Sequence, residues 1–219
     1  MTRLLKRNTA LAPSDALGWK HGFPTLEPVP ADLLVVCVVR NAVAWALSMH
    51  AKPWHTPPEM QALAFSEFIR APWETIFDRP RYFAGIPGVA AVGRPLQQDR
   101  HPETGAALAN LFALRRHKLK ALSGFAARDC SSLILRLETV QGAPESTLAA
   151  IRRALGAPAE GHDFRPVHKR LGSRFKPAAG ITRPQTPTRM APEDIGFMRG
   201  ELDLDLEARL GYAYGTAES

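Results

Sequence analysis

The feature that most constrains the fold is the stretch of residues 33–50, LLVVCVVRNAVAWALSMH. It opens with seven apolar residues, rich in valine, and such a run predicts a β-strand buried on both faces, as in a parallel sheet. Arg40 and Asn41 break the apolar run, and residues 42–50 then carry apolar side chains at helical spacing. The sequence therefore predicts a buried strand that ends at Arg40 and leads directly into a helix.

Arg40 and Ser48 are candidate ligands for a phosphate at this strand end. In open α/β sheets, ligands bind outside the carboxyl ends of the strands, and helix N-termini offer N–H groups to anions. Ser48 follows Arg40 by eight residues, about two helical turns along. A guanidinium and a hydroxyl so placed can hold one phosphate from two sides. The alternative is an arginine at a sheet edge and a serine on a helix surface, with no ligand.

The length allows one large domain or two small ones, and because the sequence shows no internal repeat and no separate second domain, we expect one globular domain over residues 1–219. No apolar run approaches the ~20 residues of a membrane span, and the first ten residues lack the apolar core of a signal peptide. The two cysteines, Cys37 and Cys130, are typical of buried thiols rather than of a disulfide framework. We expect a cytoplasmic protein that does not enter a membrane.

The formal net charge of +7 is concentrated in one segment, residues 164–190, which has seven basic residues and no acidic one. Such a segment indicates a polyanionic partner, such as nucleotide phosphates, an acidic glycan or nucleic acid. The alternative is a basic loop that is only solvated. The basic residues are Arg165, Lys169, Arg170, Arg174, Lys176, Arg183 and Arg189.

Local patterns along the chain predict a central parallel sheet flanked by helices. The predicted strands are residues 16–21, 33–39 and 132–137. The predicted helices are residues 1–8, 42–50, 63–70, 106–127, 144–155 and a last helix that begins at residue 191 and continues toward residue 210. Residues 78–104 predict a lid or an irregular excursion. The glycines at 88 and 93 do not form a phosphate-binding loop, because the required Lys and Ser/Thr are missing.

A set of motifs resembles the cytosolic and bacterial sulfotransferases. Residues 19–24 (WKHGFP) resemble the family's Lys-Thr-His-(apolar)-Pro strand, and Arg40-Asn41-Ala42 with Ser48 resembles its Arg-(Asp/Asn)-(Pro/Ala) strand end with a serine eight residues later. Weaker likenesses are found in residues 110–122, 135–138 and 210–212. The resemblance implies an α/β fold of the P-loop NTPase-like type and the co-substrate 3′-phosphoadenosine 5′-phosphosulfate (PAPS).

The resemblance also implies roles for single residues. Arg40 and Ser48 would bind the 3′-phosphate of PAPS, and His21 would be the general base that takes the proton of the acceptor. Lys20 is the nearest match to the family's catalytic lysine, although that lysine stands two residues before the histidine, where this chain has Trp19. In the basic segment, Lys169, Arg170 and Gly172 match loosely the family's Arg-Lys-Gly element, which clamps the same phosphate.

The expected activity is sulfuryl transfer from PAPS to a hydroxyl or amine of a small metabolite or sugar, with no metal and no nucleic acid involved. One alternative is a nucleotide-dependent kinase of similar topology, which requires a phosphate loop and metal-binding carboxylates. The other is a non-catalytic relative that binds an anion or a partner. The sequence does not predict the oligomeric state.

The family's first strand and the loop that wraps the 5′-phosphosulfate have no counterpart in this sequence. Residues 1–8 resemble the end of the helix that follows this loop. We therefore expect an N-terminally shortened chain with weak binding of the 3′-phosphate, impaired transfer and unpaired strand edges next to the missing strand.

Overall fold

The computed structural model describes residues 1–12, 14, 16–19, 21–24, 29–83, 92–156, 163–167 and 175–215. Within them the chain has an α/β architecture, in which helices flank a two-stranded parallel sheet of β1 (Leu34–Val39) and β2 (Ser131–Arg136). The helices are α1 (Thr2–Asn8), α2 (Ala42–Ala51), α3 (Pro58–Gln61), α4 (Phe65–Arg70), α5 (Leu111–Ser123), α6 (Leu137–Gly142), α7 (Pro144–Ala154), α8 (Pro192–Glu201) and α9 (Leu204–Arg209).

The two strands pair along their whole length, with Leu34 opposite Ser131 and Val39 opposite Arg136. The strands expected at residues 33–39 and 132–137 are thus confirmed, and they lie side by side. The expectation that the first of them is buried on both faces is wrong. Val35 and Val39 pack beneath the sheet, whereas Val38 is 36% exposed on the opposite face. The face that carries Val35 and Val39 is covered by residues from α5, the turn that follows it and α9, and Leu135 of β2 packs on the other face against α1 and α7.

The strand expected at residues 16–21 is absent, and the described part of this segment is a turn. Gly18 has a φ of 75°, in the left-handed region that ends an extended strand. The N–H of Gly22 then donates to the carbonyl of Trp19 over 2.8 Å. The Trp19 side chain is buried with Phe77 and Phe83 instead of lying on a sheet.

The long helix expected at residues 106–127 is shorter, because Asn110 starts it. The Asn110 side chain accepts a hydrogen bond from the N–H of Ala113 over 2.8 Å and caps α5. Before the cap the backbone is extended, and the carbonyl of Leu108 accepts from the N–H of Trp73. After Ser123 the chain tightens into a 3₁₀ turn, Gly124–Ala127.

The last predicted helix is divided into α8 and α9. Asp203 lies between them, and its carboxylate accepts a hydrogen bond from the N–H of Leu206 over 2.9 Å. An apolar repeat of leucines runs across this break, which is why the sequence alone indicated one continuous helix. The break redirects α9 so that Leu206 and Glu207 are both buried.

The largest hydrophobic core lies among α2, α4, α5 and α8. Its fully buried members include Ala42, Ala46, Phe68, Leu111, Phe112 and Met198. This core anchors α2 and α5, the two helices that border the site described below. No helix in the described part of the chain is long and apolar enough to cross a membrane.

Candidate functional site

A cavity of about 310 Å³ opens at the carboxyl end of β1. We call it the aromatic cavity, because four tryptophans and Phe23 line it together with cationic and imidazole side chains. Its walls come from Trp19, residues 21–24, the end of β1, α2, the loop after α2, and α5. The lining includes Trp19, His21, Phe23, Arg40, Trp45, Met49, Lys52, Trp54, His55, Trp73, Asp99, Arg115 and Lys118.

Arg40 lies directly after β1, is half-buried and lines the aromatic cavity. Lys52, at the other end of α2, lines it as well. Neither side-chain cation makes a hydrogen bond or ion pair with another residue of the described part of the chain. The cavity therefore holds positive charge that the surrounding protein does not neutralise by direct contact, and this favours an anionic ligand.

The N–H groups at the start of α2, in contrast, are satisfied within the protein. A carboxylate oxygen of Glu138 accepts from the N–H of Asn41 (3.0 Å), and the hydroxyl of Tyr214 accepts from that of Ala42 (2.9 Å). The Asn41 side chain accepts from the next two, those of Val43 and Ala44. The expected anion at this helix N-terminus would have to displace these groups, so the phosphate contact expected there is not preformed.

The carboxylate of Glu138 is itself held in place at the end of β1. Desolvation acts to raise its pKa, but hydrogen bonds from the N–H of Asn41, its own N–H and the Tyr212 hydroxyl (2.8 Å), together with nearby Arg40, hold the pKa below its ordinary value. Glu138 is therefore ionised at neutral pH and partly offsets the charge of Arg40. Burial, followed by this carboxylate, raises the pKa of the Tyr212 phenol well above its ordinary value.

Ser48 is exposed and lies outside the lining of the aromatic cavity. Trp45 and Met49, four residues apart on α2, take the positions that face the cavity, and Ser48 falls beside them on the helix. The structure therefore does not bring Arg40 and Ser48 to the same cavity, although their spacing predicted a shared ligand.

His21 and Arg40 are brought together, since both line the aromatic cavity. The imidazole of His21 is exposed and contacts Trp19 edge-on, with ring centroids 5.4 Å apart. The carbonyl of His21 accepts a hydrogen bond from the ammonium of Lys118 on α5. The other residues that the resemblance singled out, Lys20, Lys169, Arg170 and Gly172, lie outside the described residues.

Lys118 belongs to a polar network that the sequence did not predict. Its ammonium also forms an ion pair with the carboxylate of Asp99, which is only 2% exposed. The hydroxyl of Thr75 donates to the same carboxylate, and the indole N–H of Trp73 lies 3.1 Å from the Thr75 oxygen. The network joins α5, the loop residues Trp73, Thr75 and Asp99, and the His21 backbone at the wall of the cavity.

A second histidine, His55, lines the aromatic cavity and is paired with a carboxylate. Its Nδ1 lies 2.6 Å from Oδ1 of Asp78. No motif indicated this pair, because the two residues are 23 positions apart and lie in segments without a helical or strand period. The cluster Trp54-His55 in a proline-rich loop was the only signal in the sequence.

The basic segment is used in part for packing. The guanidinium of Arg183 donates to the carbonyls of His50 and Ala51, the latter over 3.2 Å, and so caps the C-terminus of α2. It also lies over the ring of Phe175, 4.9 Å from its centroid. Arg183 therefore has a structural role, whereas the expected phosphate-clamping residues of this segment are not described.

No group of three or more His, Cys, Asp or Glu side chains that could hold a metal ion occurs among the described residues. Comparison of the chain with protein-family models, with curated proteins and with solved structures gave no match.

Proposed function

We propose that the chain is a sulfotransferase relative that binds PAPS, or its product adenosine 3′,5′-bisphosphate, at the aromatic cavity and transfers the sulfuryl group to a hydroxyl or amine. The observation that carries the proposal is that Arg40 and His21 line one aromatic cavity at the carboxyl end of a parallel strand. This is the edge of an α/β sheet where ligands bind. The resemblance assigns phosphate binding and proton removal to these two residues.

The chemistry of the lining is suited to such a ligand. The guanidinium of Arg40 has a planar fork of donors that binds two phosphate oxygens at once. The tryptophan rings offer flat apolar surfaces to an adenine or an aromatic acceptor. Lys52 adds positive charge to the lining, and such charge stabilises the negative charge that accumulates on the leaving phosphate during sulfuryl transfer. The finer fold assignment, the P-loop NTPase-like sulfotransferase type, is part of this proposal.

A second candidate function is anion binding without turnover. It is favoured by the occupied N–H groups at the start of α2 and by the position of Ser48 outside the cavity. Both features reduce the number of donors that reach a phosphate beside Arg40. A binding-only relative would keep the affinity for the bisphosphate and show no transfer.

Thermal unfolding with adenosine 3′,5′-bisphosphate, with ATP or with no nucleotide tests the proposal. A bisphosphate-dependent rise in Tm supports it, a rise only with ATP favours a kinase, and no rise with either nucleotide contradicts nucleotide binding. Transfer of a labelled sulfuryl group from PAPS to a panel of phenols, sugars and amines then separates turnover from binding alone.

An Arg40→Ala variant locates the site. Removal of the charge-assisted phosphate contact should weaken bisphosphate binding by about 2–5 kcal/mol in calorimetry. Arg209, exposed at the end of α9, provides the matched control, and Arg209→Ala should bind as the parent does. If Arg40→Ala also binds as tightly as the parent, the ligand does not occupy the aromatic cavity.

A further inference from the structure

His55 has the geometry of a proton-transfer residue. Its Nδ1 is 2.6 Å from Oδ1 of Asp78, and the two side chains are 11% and 25% exposed. An ionised carboxylate only accepts hydrogen bonds, so Nδ1 of the neutral imidazole carries the proton. This leaves the lone pair on Nε2, which makes no hydrogen bond to any residue that the structure describes. Because His55 lines the aromatic cavity, a ligand bound there would lie beside this imidazole.

The imidazole is held rigidly by its surroundings. It contacts Phe83, Tyr82 and Trp19 edge-on, at centroid distances of 4.8, 5.5 and 5.7 Å. Its backbone is also constrained, because the carbonyl of His55 accepts from the N–H of Ile76 over 2.7 Å. A base that is fixed in this way loses little orientational freedom when it meets a ligand.

The backbone of His55 is strained. It is the non-glycine residue with a positive φ in the described part of the chain, at 63°. This left-handed conformation is unfavourable for a residue with a side chain, and such strain is concentrated at ligand sites and active sites. The strain is retained where a loop built for stability alone would favour Gly or Asn.

His21, the base implied by the resemblance, is less confined. It also contacts Trp19, with ring centroids 5.4 Å apart, but its side chain is exposed. The wall around His55 is aromatic, with Trp19 and Trp54 also lining the cavity. A flat ring that carries a hydroxyl fits such a wall, because it can stack on indole while its oxygen reaches an imidazole nitrogen.

We propose that His55, oriented by Asp78, takes the proton from the acceptor hydroxyl, and that the acceptor is a flat, hydroxyl-bearing ring of the phenol class. This rests on the proposed function for the identity of the donor. The hydroxyl proton moves to Nε2 of His55 as the acceptor oxygen forms its bond to sulfur. The bond between sulfur and the bridging oxygen of PAPS breaks, and the leaving phosphate keeps the electron pair. Asp78 stabilises the imidazolium that forms.

Kinetics with PAPS and a phenolic acceptor test the proton-transfer role. Replacement of the base (His55→Gln) should lower the turnover rate by about 10²-fold or more, with the affinity for adenosine 3′,5′-bisphosphate changed less than twofold. Asp78→Asn should lower the turnover rate as well, because an amide group can donate to Nδ1 and so favour the His55 tautomer that carries its proton on Nε2. His21→Gln serves as the rival variant and His101→Gln, outside the cavity lining, as the matched control. Full turnover by His55→Gln, with a loss in His21→Gln, would overturn the inference and leave the proposed function standing.

A chemical test does not depend on turnover. Diethyl pyrocarbonate reacts with an unprotonated imidazole nitrogen, and the modified histidine is identified by mass spectrometry of peptides. His55 in the intact protein should react at least tenfold faster than the buried His50, and Asp78→Asn should slow this reaction. If His55 reacts no faster than His50, its Nε2 is not an available base, and the inference fails even where the bisphosphate binds. If the bisphosphate does not bind, the proposed function fails, and the reactivity of His55 still decides whether the cavity holds a base.

Discussion

The guanidinium of Arg115 on α5 donates hydrogen bonds to both carboxylate oxygens of Glu207 on α9. The two contacts are Nε to Oε1 at 2.5 Å and Nη2 to Oε2 at 2.8 Å, and the side chains are only 4% and 1% exposed. The hydroxyl of Tyr214 donates to the same carboxylate over 3.1 Å and accepts from the N–H of Ala42. Burial raises the pKa of the Tyr214 phenol to about 12, so this hydroxyl keeps its proton at neutral pH. The pair thus connects the C-terminal helix to the start of α2 and the wall of the aromatic cavity.

A Glu207→Gln substitution should strongly destabilise the protein. It leaves the Arg115 guanidinium buried without its counter-charge, and such losses cost about 3–5 kcal/mol. The free energy of unfolding is measured by urea denaturation followed by circular dichroism. Lys120→Gln, on the exposed side of α5, is the control and should change stability by less than about 0.5 kcal/mol. Equal stabilities for the two variants would mean that the pair does not form in solution.

Lys118→Met should destabilise the wall of the cavity by about 1–3 kcal/mol. The substitution keeps an apolar stem of similar length but removes the cation that pairs with buried Asp99 and holds the His21 carbonyl. A double-mutant cycle with Asp99→Asn measures the coupling directly. We expect an interaction of at least about 0.5 kcal/mol, whereas strictly additive losses would show that the two side chains act independently.

His50 should make the stability depend on pH. Burial lowers its pKa from the ordinary 6.5, a change that the hydrogen bond to the Leu63 carbonyl opposes and nearby Arg183 reinforces. Its Nε2–H donates to that carbonyl (3.1 Å), so Nδ1 accepts from the Thr186 hydroxyl (2.7 Å) in the neutral form. Protonation breaks this arrangement in the folded protein only.

The direction of the pH dependence follows from this difference in proton binding between the folded and unfolded states. Above pH 6.5 the imidazole is neutral in both states and its stabilising effect is complete. Below that pH the unfolded chain takes up a proton that the folded protein resists, so the free energy of unfolding falls as the pH is lowered through the folded pKa. Urea denaturation from pH 7 to pH 5 should show this fall in the parent and a flatter profile in His50→Gln. Burial also lowers the pKa of His117, so His117 adds to the same pH dependence, and the His117→Gln variant measures its share. A parent-like slope in His50→Gln would contradict the assignment to His50.

Local pattern alone determined the elements around which the site is built. The valine-rich run produced β1, and Asn41 produced the capped start of α2 immediately after it. Pro144 and Pro192 marked the first positions of α7 and α8. These features depend on side-chain period, on the φ of proline and on hydrogen bonds between neighbours in sequence, all of which act within a few residues. The place of Arg40 at the carboxyl end of a parallel strand follows from them.

Only the tertiary structure decided which side chains meet at the site. The His55–Asp78 pair spans 23 residues and the Arg115–Glu207 pair spans 92, and no local period encodes either contact. Ser48 is a contact that the sequence predicted and the structure does not form. Its spacing linked it to Arg40, but the rotation of α2 against the core places Trp45 and Met49 at the cavity instead. Helix rotation and loop path are set by the packing of whole faces against one another, and burial of those faces contributes more free energy than any single polar contact. The packing of the apolar faces therefore determines the positions of the polar side chains in the cavity.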